Sequence, residues 1–290
     1  MLTYCPYTNR DVDYERTTAE HIIPLALGGT NGFEIPVDAE FNSKLGSELD
    51  GQLSNEFLIA IRRTKYDARG HSGKEPWATI KNASYGDDNR PAQVRIHRKH
   101  GIRLWDAQDR QEKSGKGTIR INTTLNIDLP VRFAAKVGLA AGYYAYGKIF
   151  RDCVDHHHLR QVMMIDPAKL DFDDDTYMDA AKSVKARIDS YFHEISSFDD
   201  WRLLVLRRFC TSTEGSVVVL LPGPNCFQVT VGILGQFIAT VNVPANTDRF
   251  PNEGEYHWGH VMLVKEGTLF RTSWLQCMKD VYQWDACWAT

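Results

Sequence analysis

Glu20-His21-Ile22-Ile23-Pro24, then Gly28-Gly29, then Asn42-Ser43-Lys44-Leu45-Gly46 is the informative part of this chain. It sets a carboxylate, an imidazole and a carboxamide among short apolar runs and turn residues. Ala19 to Pro24 reads as a strand running into a loop. Gly28-Gly29-Thr30-Asn31-Gly32 is a turn cluster. A helix should begin near Asp38, which suits an N-cap, because Ala39, Phe41, Leu45, Leu49 and Leu53 recur at roughly helical spacing. Neighbours on a strand point to opposite sides, so Glu20 and His21 can take different roles. A helix that folds back over that strand would bring Asn42 towards them.

Outward from this stretch, Leu2-Thr3-Tyr4 and Asp13-Tyr14-Glu15-Arg16 flank the turn-prone Thr8-Asn9 and read as a β-hairpin. Asn55 to Thr64 reads as a second helix. Val94 to His97 and Thr118 to Ile121 alternate as strands do, and pairing with Ile102 to Trp105 is expected for both. A break falls at residues 122–130. Beyond it, Val131 to Phe150 and Thr176 to Ile195 read as helices. Trp201 to the end reads mostly as strands, including Ser216–Leu221, Phe227–Val231, Gln236–Val241 and His260–Val264. The class is therefore α+β, divided into residues 1–121 and 122–290, with the second part a sheet packed on two helices.

Composition sets limits. A hydrophobic fraction of 43% and a charged fraction of 24% are those of a globular protein. No signal peptide is read, and Arg132, Lys136 and Lys148 interrupt the longest apolar run, so no membrane partner is expected. The six cysteines form no C-x-x-C pair, and reduced thiols in a cytoplasmic setting are expected. The net charge of -3 hides an asymmetry. Residues 62–120 hold 15 Lys and Arg against 7 Asp and Glu, whereas residues 151–200 hold 6 against 12. A basic stretch beside a chemical motif suits a polyphosphate, through counterion release.

Hydrolysing a phosphodiester near neutral pH needs a base of near-neutral pKa, which a histidine provides. It also needs a cation to offset charge on the phosphate, and hard divalent ions take oxygen ligands such as carboxylate and amide carbonyl. The motif holds these groups. It resembles the HNH endonuclease family: an acid before His, a short apolar run to Pro, a Gly-Gly turn, and Asn or His on the following helix. Asn42 to Gly46, with Asp50 after it, is similar to one subgroup. The likeness covers about residues 2–55, and extends weakly to Arg62-Arg63 and Phe133-Ala-Ala-Lys136.

The resemblance implies an N-terminal ββα-metal module followed by a mixed α+β domain. It implies His21 as general base, and Glu20 and Asn42 as ligands of Mg²⁺ or another divalent cation. The substrate implied is DNA, in the manner of a nuclease of an antiphage defence or restriction-like system. Many relatives carry a structural zinc on two C-x-x-C knuckles. Here Cys5 keeps one position while Thr8, Asp38 and Phe41 take the others, so a structural zinc is not expected. The residue that orients the base is not plainly matched: Ile35 lies near its place, and Asn31 is the substitute. Lys44, Arg62, Arg63, Lys65, Arg69 and Lys74, with His71 among them, are candidates for gripping nucleic acid. Two alternatives stay open. One is an HNH-fold nucleic-acid-binding protein that no longer cuts. The other is a nuclease silent until a protein subunit or small ligand activates it, with the acidic residues 171–175 docked on the basic segment. Cys153 to His158 reads as a polar helix end before it reads as a metal site.

Overall fold

The computed structural model describes residues 1–109, 111–113, 118–123, 126–165, 175–189, 201–251, 256 and 258–280. The chain opens with two antiparallel hairpins. β1 (Leu2–Cys5) pairs with β2 (Arg10–Asp13), and Asn9 takes the left-handed conformation that closes the turn. β3 (Thr17–His21) pairs with β4 (Glu34–Asp38), setting Glu20 opposite Ile35 and His21 opposite Glu34. Helix α1 (Ala39–Leu45) starts directly from β4, and Asp38 Oδ1 accepts from Phe41 N at 2.9 Å as its N-cap. A π-helical turn, Gly46–Asp50, leads into α2 (Gly51–Asn55), and α3 (Phe57–Tyr66) follows.

A five-stranded antiparallel sheet comes next: β5 (Ala78–Tyr85), β6 (Arg90–His97), β7 (Gly101–Asp106), β8 (Gln111–Lys113) and β9 (Ile119–Ile121), in the order β8-β7-β6-β5-β9. One expectation is corrected here. Residues 119–121 pair with β5 and not with β7, whose second edge β8 covers. β5 escaped the sequence reading because a register shift between Ile80 and Ala83 breaks its alternation. Ile80, Ala83 and Val94 form a small core under this sheet, joined by Phe57 of α3.

Helix α4 (Asp128–Tyr146) is the centre of the molecule, buried on nearly every side. It ends at Gly147 (φ 53°), short of the expected Phe150, and α5 (Lys148–Cys153) continues in a new direction. α6 (His156–Met164) is capped by Asp155, with His156 Nε2 against the Arg151 carbonyl at 3.0 Å, so Cys153 to His158 is a helix junction. α7 (Asp175–Asp189) takes the place of the helix expected from residue 176; residues 171–174 and 190–195 lie outside the described residues. Trp201–Ser212 is a helix, α8, and not a strand. Leu203, Leu206, Phe209 and Cys210 make its apolar face, set against Val217, Val219 and Phe237.

The second sheet holds β10 (Ser216–Gly223), β11 (Cys226–Ile233), β12 (Gln236–Pro244), β13 (His260–Lys265) and β14 (Thr268–Ser273), all antiparallel, in the order β12-β11-β10-β13-β14. The architecture is mixed α+β. One hydrophobic cluster includes Ile22, Leu27 and Phe33 from the N-terminal hairpin region, Phe133 and Val137 from α4, and Val218 and Phe227 from the second sheet. Helix α4 thus lies between the motif and that sheet, which places Lys136 beneath Glu20. Among the described residues no helix is long and apolar enough to cross a membrane.

Candidate active site

A cleft of about 300 Å³ opens where β3 ends, and Glu20, His21, Asn42, Asp50 and His71 all line it. The turn after β3 shapes its wall. Gly28 sits at φ 81°, and a Cβ on Gly29 would stand 1.7 Å from the Ile23 carbonyl oxygen, so the Gly-Gly pair permits a backbone approach that no side chain tolerates. That turn returns the chain so that Asn31 faces His21.

The His21 Nε2 atom is 2.9 Å from Asn31 Oδ1 and 3.7 Å from Glu34 Oε2. Asn31 Oδ1 is an acceptor, so the neutral ring that bonds it carries its proton on Nε2 and keeps Nδ1 as the basic nitrogen; Glu34 is an ion-pair neighbour and not a hydrogen-bond partner. The His71 ring meets the His21 ring edge-on at 5.3 Å. Ile35, the other candidate for the orienting position, is buried in the core. Asn31 is therefore the residue beside the imidazole.

Below the imidazole lies a buried charge cluster. Lys136 is fully buried, with its Nζ 2.5 Å from Glu20 Oε1 and 2.6 Å from Asp50 Oδ2. Burial works against this ammonium, but the carboxylates of Asp50 and Glu20 outweigh it and hold the Lys136 pKa above the usual lysine value. Burial pushes the Asp50 carboxyl up; Lys136 pulls it down and Glu20 raises it again. The Tyr7 phenol is pushed well above its usual value by burial and by the same two carboxylates. Asn42 Oδ1, Asp50 Oδ1 and the Tyr7 hydroxyl are buried without a hydrogen-bond partner. Unpartnered buried oxygens are costly and uncommon. The Asn42 carboxamide oxygen and the Glu20 and Asp50 carboxylates line one cleft and are donors of the kind a hard divalent cation takes, with Lys136 on one oxygen of each carboxylate. Among the described residues no group of three or more His, Cys, Asp or Glu side chains is gathered as a ligand set.

The expected basic residues separate. Arg63 donates to the Ala26 carbonyl at 2.8 Å and the Ser54 carbonyl at 3.0 Å, so it braces the loop behind the cleft. Arg69 is engaged by Asp67 at 2.7 Å and Glu75 at 3.3 Å. Lys65 is exposed, with its ammonium 5.2 Å from the Tyr66 ring. Lys44 and Lys74 are exposed and Arg62 is half-buried. None of these six lines the cleft. Sequence reasoning did not place Asp50, Lys136 or His71 in the site. Asp50 and Lys136 had only the weak outer parts of the motif likeness as signal, and His71 only its place in a basic run.

Comparison of the chain with protein-family models, with curated proteins and with solved structures finds no match.

Proposed function

We propose that this protein is a metal-dependent endonuclease of the HNH type, hydrolysing phosphodiester bonds in DNA, with β3, β4 and α1 as its ββα-metal unit. The observation that carries the reading is the pairing of His21 with Asn31 at the mouth of a cleft that also holds Glu20 and the unpartnered Asn42 oxygen. The Nε2 proton is held by Asn31, so Nδ1 of His21 is the atom that takes a proton from the attacking water. Glu20 and Asn42 would hold the divalent cation, which offsets charge on the phosphate when bound. Lys136 and Asp50 fix the Glu20 carboxylate from beneath. Secondary support comes from Cys5, whose Sγ accepts from Asp38 N at 3.4 Å, and from Tyr7 and Phe41, whose rings lie 6.3 Å apart. These direct contacts join the two turns that relatives tie with zinc.

The test is nicking of supercoiled plasmid with Mg²⁺. Cutting should vanish with EDTA and fall at least a hundredfold in His21→Ala and Asn42→Ala. Cutting insensitive to all three would refute the mechanism. A second reading, a nucleic-acid-binding protein on a nuclease framework that no longer cuts, is favoured by one observation: Lys136 already neutralises the Glu20 carboxylate. It predicts no nicking by the intact chain while nucleic-acid binding persists.

A further inference from the structure

The sheet β8-β7-β6-β5-β9 buries one face and leaves the other to solvent, and the open face is unusual in composition. Its side chains form cross-strand rows: Gln93 opposite Trp105, which faces Glu112 on its other side, and Arg95 opposite Arg103. Trp105 is 43% exposed, and Trp77, just before β5, is 37% exposed. Trp77 stacks on His97 at 4.3 Å, and the Arg103 guanidinium lies 5.7 Å from its ring. Trp77, Trp105, Arg95 and Arg103 together line a cleft of about 270 Å³. None of these residues belongs to the cleft around His21.

Trp105 lies open on the sheet face and exposes apolar area that folding would normally hide, whereas the Trp77 ring is covered by His97, by His100 at 5.8 Å and by the Arg103 guanidinium. With Arg95 and Arg103 on the same face, Arg103 paired to Glu112 at 3.7 Å, Trp105 matches the two halves of an unpaired nucleotide: a π-face for the base and cations for the phosphate. Paired bases present no such face, so a duplex satisfies only the arginines. Position agrees. Trp77 follows His71 by six residues, so the two lie within about 20 Å. Between them Glu75 binds His97 at 3.2 Å, Lys99 at 2.5 Å and Arg69 at 3.3 Å, tying the loop at the His21 cleft to the sheet.

We infer that the open face of this sheet binds single-stranded DNA, stacking a base on Trp105 and leading the strand towards the His21 cleft. The inference rests on the nuclease reading for the choice of DNA. Binding is read without cutting, so the two can fail separately. The experiment is fluorescence anisotropy of labelled dT12 with the full chain in EDTA. Single strand should bind at least tenfold tighter than a 12-base-pair duplex. Trp105→Ala and Arg103→Ala should each weaken dT12 binding about tenfold, within the range expected for loss of one stacked base or one phosphate contact. Trp105→Phe should retain most of the affinity. All variants should melt as wild type, since both side chains are exposed. Equal binding by wild type, Trp105→Ala and Arg103→Ala overturns the inference, as does preference for the duplex or for U12 RNA, or full competition by polyglutamate. Flat anisotropy with intact plasmid nicking overturns it and spares the nuclease reading. Binding as described without nicking does the reverse.

Discussion

Replacing Lys136 by Met is the sharpest probe of the buried cluster, because the side chain keeps its volume and loses only its charge. At an effective dielectric of about 20, each ion pair at 2.5–2.6 Å is worth roughly 6 kcal/mol of Coulomb attraction, offset by several kcal/mol of desolvation for each ion. The variant relieves the ammonium of its desolvation but strands Glu20 and Asp50 against each other. A stranded carboxylate can take a proton instead, and from pH 7 that costs about 4 kcal/mol. The expected loss is therefore about 3–5 kcal/mol, or roughly 10 °C in Tm. The pH dependence has a definite sign. In the variant the carboxylates' folded-state pKa values rise above their unfolded ones, so the native state binds more protons and stability falls as pH rises from the unfolded value to the folded one. The defect should shrink by about two thirds at pH 5, where protonation costs about 1.4 kcal/mol instead of about 4. In the wild type, the raised Lys136 pKa contributes stability present below the usual lysine value and lost only as pH rises past the raised one. Urea denaturation of Lys136→Met at pH 5, 7 and 8, with the triple variant Lys136→Met/Glu20→Gln/Asp50→Asn alongside, decides the matter. A loss under about 1 kcal/mol at pH 7, or one that grows towards pH 5, refutes the reasoning.

Asn31→Ala should lower plasmid-nicking kcat about tenfold or more with little change in KM, and Asn31→Asp should restore part of it; equal rates would remove Asn31 from any orienting role. Gly29→Ala should destabilise the fold by about 3 kcal/mol or more, read by urea denaturation, because its Cβ meets the Ile23 carbonyl backbone. His260 is buried beneath Tyr146 and Tyr256 and faces Arg271, and burial lowers its pKa to about 4. Its contribution is complete above the ordinary histidine value and lost as pH falls through about 4. Stability should drop by about 3 kcal/mol over that window, and a His260→Phe variant should flatten this part of the profile.

The local elements near the motif were legible because their signals are local. The Asp38 cap, the spacing of Leu45, Leu49 and Leu53, and the turn at Thr8-Asn9 act within a few residues of chain. Glu20, His21 and Asn42 line one cleft because the β3–β4 hairpin and the helix that starts directly from it fold the chain back over 22 residues. The helix Trp201–Ser212 misread as strand, because a short apolar run carries both periodicities until something packs on one face; here the second sheet does so. The bulge in β5 erased the alternation by which it would have been found. The buried cluster had only the weak outer parts of the motif likeness as a signal in the sequence. Lys136 read as a polar interruption of an apolar helix, and its partnership with Glu20 and Asp50 exists only because α4 threads between the motif and the far sheet. Arg63 and Arg69 show the converse: composition counts cations, but backbone carbonyls and neighbouring carboxylates determine which of them face solvent with charge to spare. Short-range sterics and hydrogen bonding are written along the chain, whereas the desolvation and Coulomb terms that tune a site depend on which distant segments come to enclose it.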